Sequence, residues 1–365
     1  MKAMVLRGKT LAIEDYPVPE PKEGQVLARV LACGICGSDL HAAKFMDDMI
    51  EASKASGRTA WDTLSMDRGM VMGHEFVAEV VKAGPGVEGW EPGTRVTCMP
   101  ILPDQDAPNG FYTVGYSPEV PGAYSEYVLL GARMLLKVDD ALPDTIAATT
   151  EPCAVGLHAV REARMEPGQT ALVMGAGPIG LMTLAWLKHN GARHVSVTDP
   201  AEARRGLAKE LGADLVLDPL AEDVTARVAE AIDALPVDDE GGNGPVAYGG
   251  PSAVTQPDVV FECVGVPGTL QQSMEFANSR GQVVVVGVCM EEDRVRPMVG
   301  VNKHLTVRFV LGYNADEYAE ALASLTDGSI DVGPMVTRSV SLDELPETFE
   351  SLSDPRDCKV MVVPG

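Results

Sequence analysis

The sequence predicts an α/β protein of two parts, a β-rich barrel-like domain and a doubly wound parallel sheet. A change of texture near residue 168 and the strands on either side of it point to this division. Up to about residue 150, short branched apolar runs alternate with Gly and Pro, as at 25–32, 76–81 and 124–130. These have the length and composition of strands. Beyond residue 168, apolar strands at 170–174, 194–198, 215–217, 258–264 and 282–288 alternate with helical stretches at 179–190, 201–211, 224–234 and 269–278. Continuous Val-rich strands suit a parallel sheet covered on both faces. A helix at 317–325 and a strand at 359–363 are expected to fold back onto the first domain. The division is therefore 1–152 with 314–365 for one domain and 153–313 for the other.

Composition narrows the possible functions. The 365 residues suffice for two cores, and 45% hydrophobic with 22% charged content is ordinary for a soluble folded chain. A formal charge of −24 repels phosphate backbones and anionic lipid, so neither nucleic acid nor a membrane surface is an expected partner. The start, Met1 to Gly8, is too short an apolar run for a signal-peptide core. Residues 170–187 carry no charge, but Gly175, Gly177, Pro178 and Gly180 mark a strand, turn and helix rather than a span. Seven scattered cysteines form no secreted disulfide pattern, so a reducing cytoplasm is the expected compartment. Residues 238–257, rich in Gly and Pro, read as a long surface loop.

Gly175-Ala176-Gly177-Pro178-Ile179-Gly180 is a GxGxxG that follows an apolar strand and opens an apolar helix. That context is what gives the motif meaning. Gly175 permits the tight turn, Gly177 lets backbone approach a pyrophosphate, and Gly180 lets helix and sheet pack closely. The helix N-terminus offers free N–H groups to phosphate. Asp199 ends the next strand, nineteen residues after Gly180, where it can accept from ribose hydroxyls and repel a 2′-phosphate. This favours NAD over NADP. Arg204 and Arg205 lie one turn further on; they could accommodate a phosphate or form a solvated helix face.

Three short pieces carry metal-competent groups. Gly34-Ile35-Cys36-Gly37-Ser38-Asp39-Leu40-His41 is dense in them, Gly73-His74-Glu75 precedes a strand, and Glu151-Pro152-Cys153 precedes the α/β part. Each alone is weak, and Cys36 by itself would be read as a small buried residue. A thiolate, an imidazole and one or two carboxylates together make a plausible zinc set with an open position.

With these motifs in this order, the chain resembles the zinc-containing medium-chain dehydrogenase/reductase superfamily, in particular its sorbitol, threonine and butanediol dehydrogenase-like branch. The likeness spans nearly the whole chain. It implies a Rossmann cofactor domain and a GroES-like barrel, and a zinc-dependent transfer of hydride between an alcohol and NAD. It implies Cys36 and His74 as zinc ligands, with Glu75, Glu151 or both supplying carboxylate. Asp39 is then the carboxylate that orients the histidine, Ser38 the hydroxyl that receives the substrate proton, and His41 the outer end of the relay. Lys359 occupies a position where a basic residue can approach the cofactor pyrophosphate, though an ordinary strand-end lysine reads as well. Val264 and Val288 end two strands near the expected nicotinamide, or else are plain core residues. Small alcohols and ketones are the expected partners, and a homodimer or homotetramer pairing through the apolar strand at 305–311 is the expected assembly.

The chain departs from the family pattern in two places. Many relatives hold a structural zinc on four closely spaced cysteines, whereas here Cys98 is followed by no cysteine before Cys153. One catalytic zinc and no structural zinc is therefore expected. Residues 43–68 are longer than usual, with Phe45, Met46, Met49 and Ile50 at helical spacing and Trp61 and Leu64 beyond. They could narrow the substrate cleft or simply pack on the surface. Two rival readings remain, a zinc-free NADPH-dependent quinone or enoyl reductase of the same fold and a non-catalytic structural relative. The first would not need Cys36, His74 and Glu151 together; the second would be expected to lose Ser38 and His41.

Overall fold

The structure, a computed structural model, describes residues 1–57, 64, 68–166, 168–236, 255–352 and 356–365. Trp61 and most of the loop expected at 238–257 lie outside the described residues. The chain forms two units. One comprises Met1–Glu151, Tyr318–Gly328 and Val336–Gly365; the other comprises Pro152–Glu317 and Ser329–Met335. The return to the first unit thus falls at Tyr318 rather than 314, and a short segment goes back to the second.

The first unit is built on a seven-stranded sheet centred on Gln25–Gly34. This ten-residue strand is buried along most of its length, and two register shifts let it bend. Its first half pairs with Tyr127–Gly131, its whole length with Glu75–Ala83, and its last residues with Lys359–Val363. The chain's end therefore meets the part that leads into Cys36. A hairpin of Ile101–Pro103 and Phe111–Thr113 opens the lobe after Cys98. Here Lys22 Nζ donates to Asp104 at 2.9 Å and Asp106 at 3.1 Å, an ionic clip in a lobe that has no cysteines of its own.

The second unit is a six-stranded parallel sheet. Its spatial order runs Leu215–Leu217, His194–Thr198, Thr170–Met174, Val259–Glu262, Gln282–Val285, Thr306–Phe309. Counted within the unit, this is the order 3-2-1-4-5-6 of doubly wound nucleotide-binding sheets, reversing beside Thr170–Met174. All five residues of Thr170–Met174 and of His194–Thr198 are buried; the first is apolar from Ala171 to Met174, whereas the second buries His194, Ser196 and Thr198 beside its two valines. Thr306–Phe309 is the edge, shorter than the apolar run suggests, with Phe309 69% and Leu311 58% exposed. Among the described residues no helix is long and apolar enough to cross a membrane.

Candidate metal centre and nucleotide site

Strand register brings the metal-competent residues together. Gly34 stands opposite Glu75 in the antiparallel pair, so the residues just beyond each strand end converge. Past Gly34 the chain turns into the helix Gly37–Ala55 with Cys36 at its N-cap, and the Cys36 N–H donates to Asp39 Oδ2 at 3.2 Å. Ligand atoms of Cys36, His74 and Glu75 then lie within 4.8 Å of one another. Thiolate, imidazole and carboxylate are a donor set zinc accepts. The residues fit that ion in a second respect. Buried His74 Nδ1 has no hydrogen-bond partner and lies 3.4 Å from Asp39 Oδ1, the carboxylate–histidine arrangement that orients a metal-bound imidazole.

Charge in this pocket is closely shared. Burial acts to raise Asp39, but His74 and the Tyr124 hydroxyl outweigh it and hold the carboxyl below its usual range. Burial likewise opposes a charged His74, yet Asp39 and Cys36 draw its pKa well upward. Burial and the Glu75 charge push the Cys36 thiol up, against the pull of His74 and Lys359. Tyr124 donates to Asp39 Oδ2 at 2.6 Å, and Tyr116 donates to Ser38 Oγ at 2.7 Å. Ser38 in turn donates to Cys36 Sγ at 3.1 Å. His41 stands in the first turns of the same helix, half-buried and edge-on to Phe45.

Lys359 has partners within its own unit. Its ammonium is 1% exposed and donates to both Glu75 oxygens, at 2.9 and 2.7 Å, and to the Ile35 carbonyl at 3.1 Å. The pairing of Lys359–Val363 with the end of Gln25–Gly34 brings the side chain to the metal-competent cluster. Glu151 sits in the first turn of the helix Thr150–Ala163, 8% exposed, and outside the 4.8 Å group. In the helix that opens the 43–68 segment, Met46 and Met49 are buried, with Ala42 just before them, and the helix kinks at Phe45 (φ −128°, ψ 30°).

In the second unit Gly175 has φ +90°, and a Cβ on Gly180 would lie 1.8 Å from the Gly175 carbonyl oxygen. Pro178 and Ile179 form the first turn of Pro178–His189 behind Gly177, whose face is open. Asp199 Oδ2 accepts from Ala176 N–H at 2.9 Å and Oδ1 from Ala201 N–H at 2.8 Å, which fixes the carboxylate beside the glycine turn. Arg205 is taken up by the Asp199 and Pro200 carbonyls and by Asp218, whereas Arg204 Nε has no partner. Val264 and Val288 lie past their strands and are 43% and 45% exposed, so neither is a core residue.

Some contributors escaped sequence reasoning. Glu262, 2% exposed, accepts from the N–H groups of Val264 and Gly265 at 2.8 and 2.9 Å and so shapes that loop. Tyr116 and Tyr124 come from a lobe with no motif of its own. That lobe is rich in aromatics for an aromatic-poor chain, with Phe111, Tyr112, Tyr116 and Tyr124.

A doubly wound nucleotide-type sheet and a separate unit carrying a thiolate, imidazole and carboxylate cluster are the parts of a zinc-type dehydrogenase. Family models described as alcohol dehydrogenase GroES-like domain and zinc-binding dehydrogenase match residues 22–140 and 178–327. (R,R)-butanediol dehydrogenase of Bacillus subtilis is 32% identical over 364 residues, covering 98% of this chain and 97% of its own. Human sorbitol dehydrogenase is 31% identical, covering 96% and 92%. The crystal structure of the B. subtilis 2R,3R-butanediol dehydrogenase superposes with a TM-score of 0.81 at 30% identity, covering 100% and 99%. A structure from Sinorhizobium meliloti described as a zinc-binding dehydrogenase, bound to NADP, gives 0.79 at 29%, covering 100% and 99%. The chain belongs to the zinc-containing alcohol dehydrogenase family of medium-chain dehydrogenases, in its sorbitol and butanediol dehydrogenase-like branch.

Proposed function

We propose that this protein oxidises a secondary alcohol, diol or polyol to a ketone or aldehyde, using zinc and NAD. The observation that carries this is the convergence of Cys36, His74 and Glu75 with Ser38 hydrogen-bonded to the thiol. Cys36, His74 and a carboxylate would hold the ion; Glu75 stands nearest, with Glu151 as the alternative. When bound, zinc supplies a Lewis acid that stabilises negative charge on the substrate oxygen. The nicotinamide supplies the hydride acceptor. Ser38 Oγ would accept the proton of the substrate hydroxyl while releasing its own toward the nicotinamide ribose, and His41 would pass it on to solvent. Asp39 holds the His74 imidazole in one orientation, and Tyr124 holds Asp39.

Gly175, Gly177, Pro178, Ile179 and Gly180 would bind the pyrophosphate, and Asp199 the adenosine ribose. The fixed Asp199 carboxylate supports NAD. NADP is the second reading, favoured by Arg204, whose Nε is unpartnered, and by the relative bound to NADP. Seven free thiols accord with a reducing cytoplasm. The exposed edge Thr306–Phe309 supports pairing with a second copy. The testing experiment follows absorbance of the reduced nicotinamide with NAD and NADP across polyols, diols, secondary alcohols, threonine and bulky alcohols. Oxidation of at least one class with NAD preferred is expected. No turnover by the zinc-loaded protein on any class would defeat the reading.

A further inference from the structure

The hydroxyl that receives the substrate proton is itself held in place. A serine hydroxyl has one proton to donate and two lone pairs to accept with. In Ser38 the proton is directed at Cys36 Sγ, 3.1 Å away, and one lone pair takes the phenolic proton of Tyr116 at 2.7 Å. One lone pair is left. Tyr116 also stands 3.3 Å from Asp39 Oδ1, a distance that makes this the weaker of its two options.

Tyr116 is well anchored for such a task. It is 5% exposed, its ring lies tilted against His74 with centroids 5.2 Å apart, and its N–H donates to the Thr113 carbonyl at 3.0 Å. A phenylalanine would fill the same space against His74. A buried phenol hydroxyl is costly unless bonded, and its shortest bond runs to a side chain with three staggered rotamers of its own. The hydroxyl is thus spent on choosing among those rotamers.

We propose that Tyr116 is a positioning residue: its hydroxyl fixes Ser38 Oγ so that the remaining lone pair faces the substrate hydroxyl. This rests on the zinc dehydrogenase reading above. Tyr116 would influence the reaction through Ser38 and not by touching substrate or cofactor.

The test is a double-mutant cycle of Tyr116→Phe and Ser38→Ala in zinc-loaded full-length protein, with zinc affinity measured by chelator competition. Tyr116→Phe is expected to lower kcat about tenfold, the scale of one lost orienting hydrogen bond. Zinc affinity and KM for NAD are expected to stay unchanged. In the Ser38→Ala background, Tyr116→Phe is expected to cost nothing further. An unchanged kcat, a second full tenfold loss in that background, or a parallel loss of zinc affinity would each overturn the proposal. A crystal structure of zinc-loaded Tyr116→Phe gives a readout that needs no turnover. Ser38 spread over more than one rotamer is expected, and Ser38 fixed where it now stands overturns the proposal. If wild-type protein oxidises no alcohol, the functional reading fails and this structural arm still decides the role of Tyr116.

Discussion

Glu75 and Lys359 are the residues on which the centre's electrostatics turn. Both are essentially buried, and Lys359 makes two short bonds to the carboxylate. Removing one partner of such a pair leaves an uncompensated charge, at a cost of about 3–5 kcal/mol. Glu75→Gln should therefore destabilise the protein by roughly that amount in denaturant unfolding, and adding Lys359→Met should recover most of it. Equal stability of single and double variants would show that the pair is not the reason. His41 offers a test by pH. Burial and the Lys44 charge hold its imidazole below the usual value, which keeps it neutral and ready to accept a proton. If His41 ends the proposed relay, activity should be lost as pH falls through that lowered value. Lys44→Gln removes the nearby cation and lets the pKa rise, so the acid limb of kcat/KM should move to higher pH. A limb that stays in place would contradict a relay ending at His41.

At the scale of elements, the glycine turn separates packing from binding. A methyl on Gly180 collides with the Gly175 carbonyl, whereas one on Gly177 meets nothing within 4 Å. Gly180→Ala should cost about 1–3 kcal/mol in stability. Gly177→Ala should leave thermal unfolding unchanged while raising KM for NAD about tenfold or more, because the methyl occupies space the pyrophosphate needs. Matching stability losses in the two would refute this division.

These elements were legible because their physics is local. The buried parallel strand Thr170–Met174 is apolar from Ala171 onward, and Gly175 to Gly180 carry their conformational demand in their own residue types. Lys359 was not legible in this way. Its role depends on the terminal strand pairing with Gln25–Gly34, a contact more than three hundred residues away in sequence. Tyr116 and Tyr124 reach Asp39 over similar non-local paths, 77 and 85 residues along the chain. Glu151, a ligand position implied by the family resemblance, opens the helix Thr150–Ala163 and is not among the three residues whose ligand atoms lie within 4.8 Å of one another.

For the whole molecule, assembly and metal content are the properties that matter. The edge Thr306–Phe309 presents unpaired backbone groups with Phe309 and Leu311 exposed, an edge that natural proteins usually cover. If this edge pairs two copies, Phe309→Lys should give a monomer in size-exclusion chromatography with light scattering. A wild-type protein already monomeric at micromolar concentration would contradict pairing through this edge. The central claim is that one zinc, held by Cys36, His74 and a carboxylate, enables alcohol oxidation with NAD. Its most direct test is metal analysis combined with NADH formation in wild type and Cys36→Ser. The account predicts about one zinc per chain in wild type and loss of both metal and activity in the variant. A Cys36→Ser protein that keeps full activity, or an active wild type free of zinc, would contradict it.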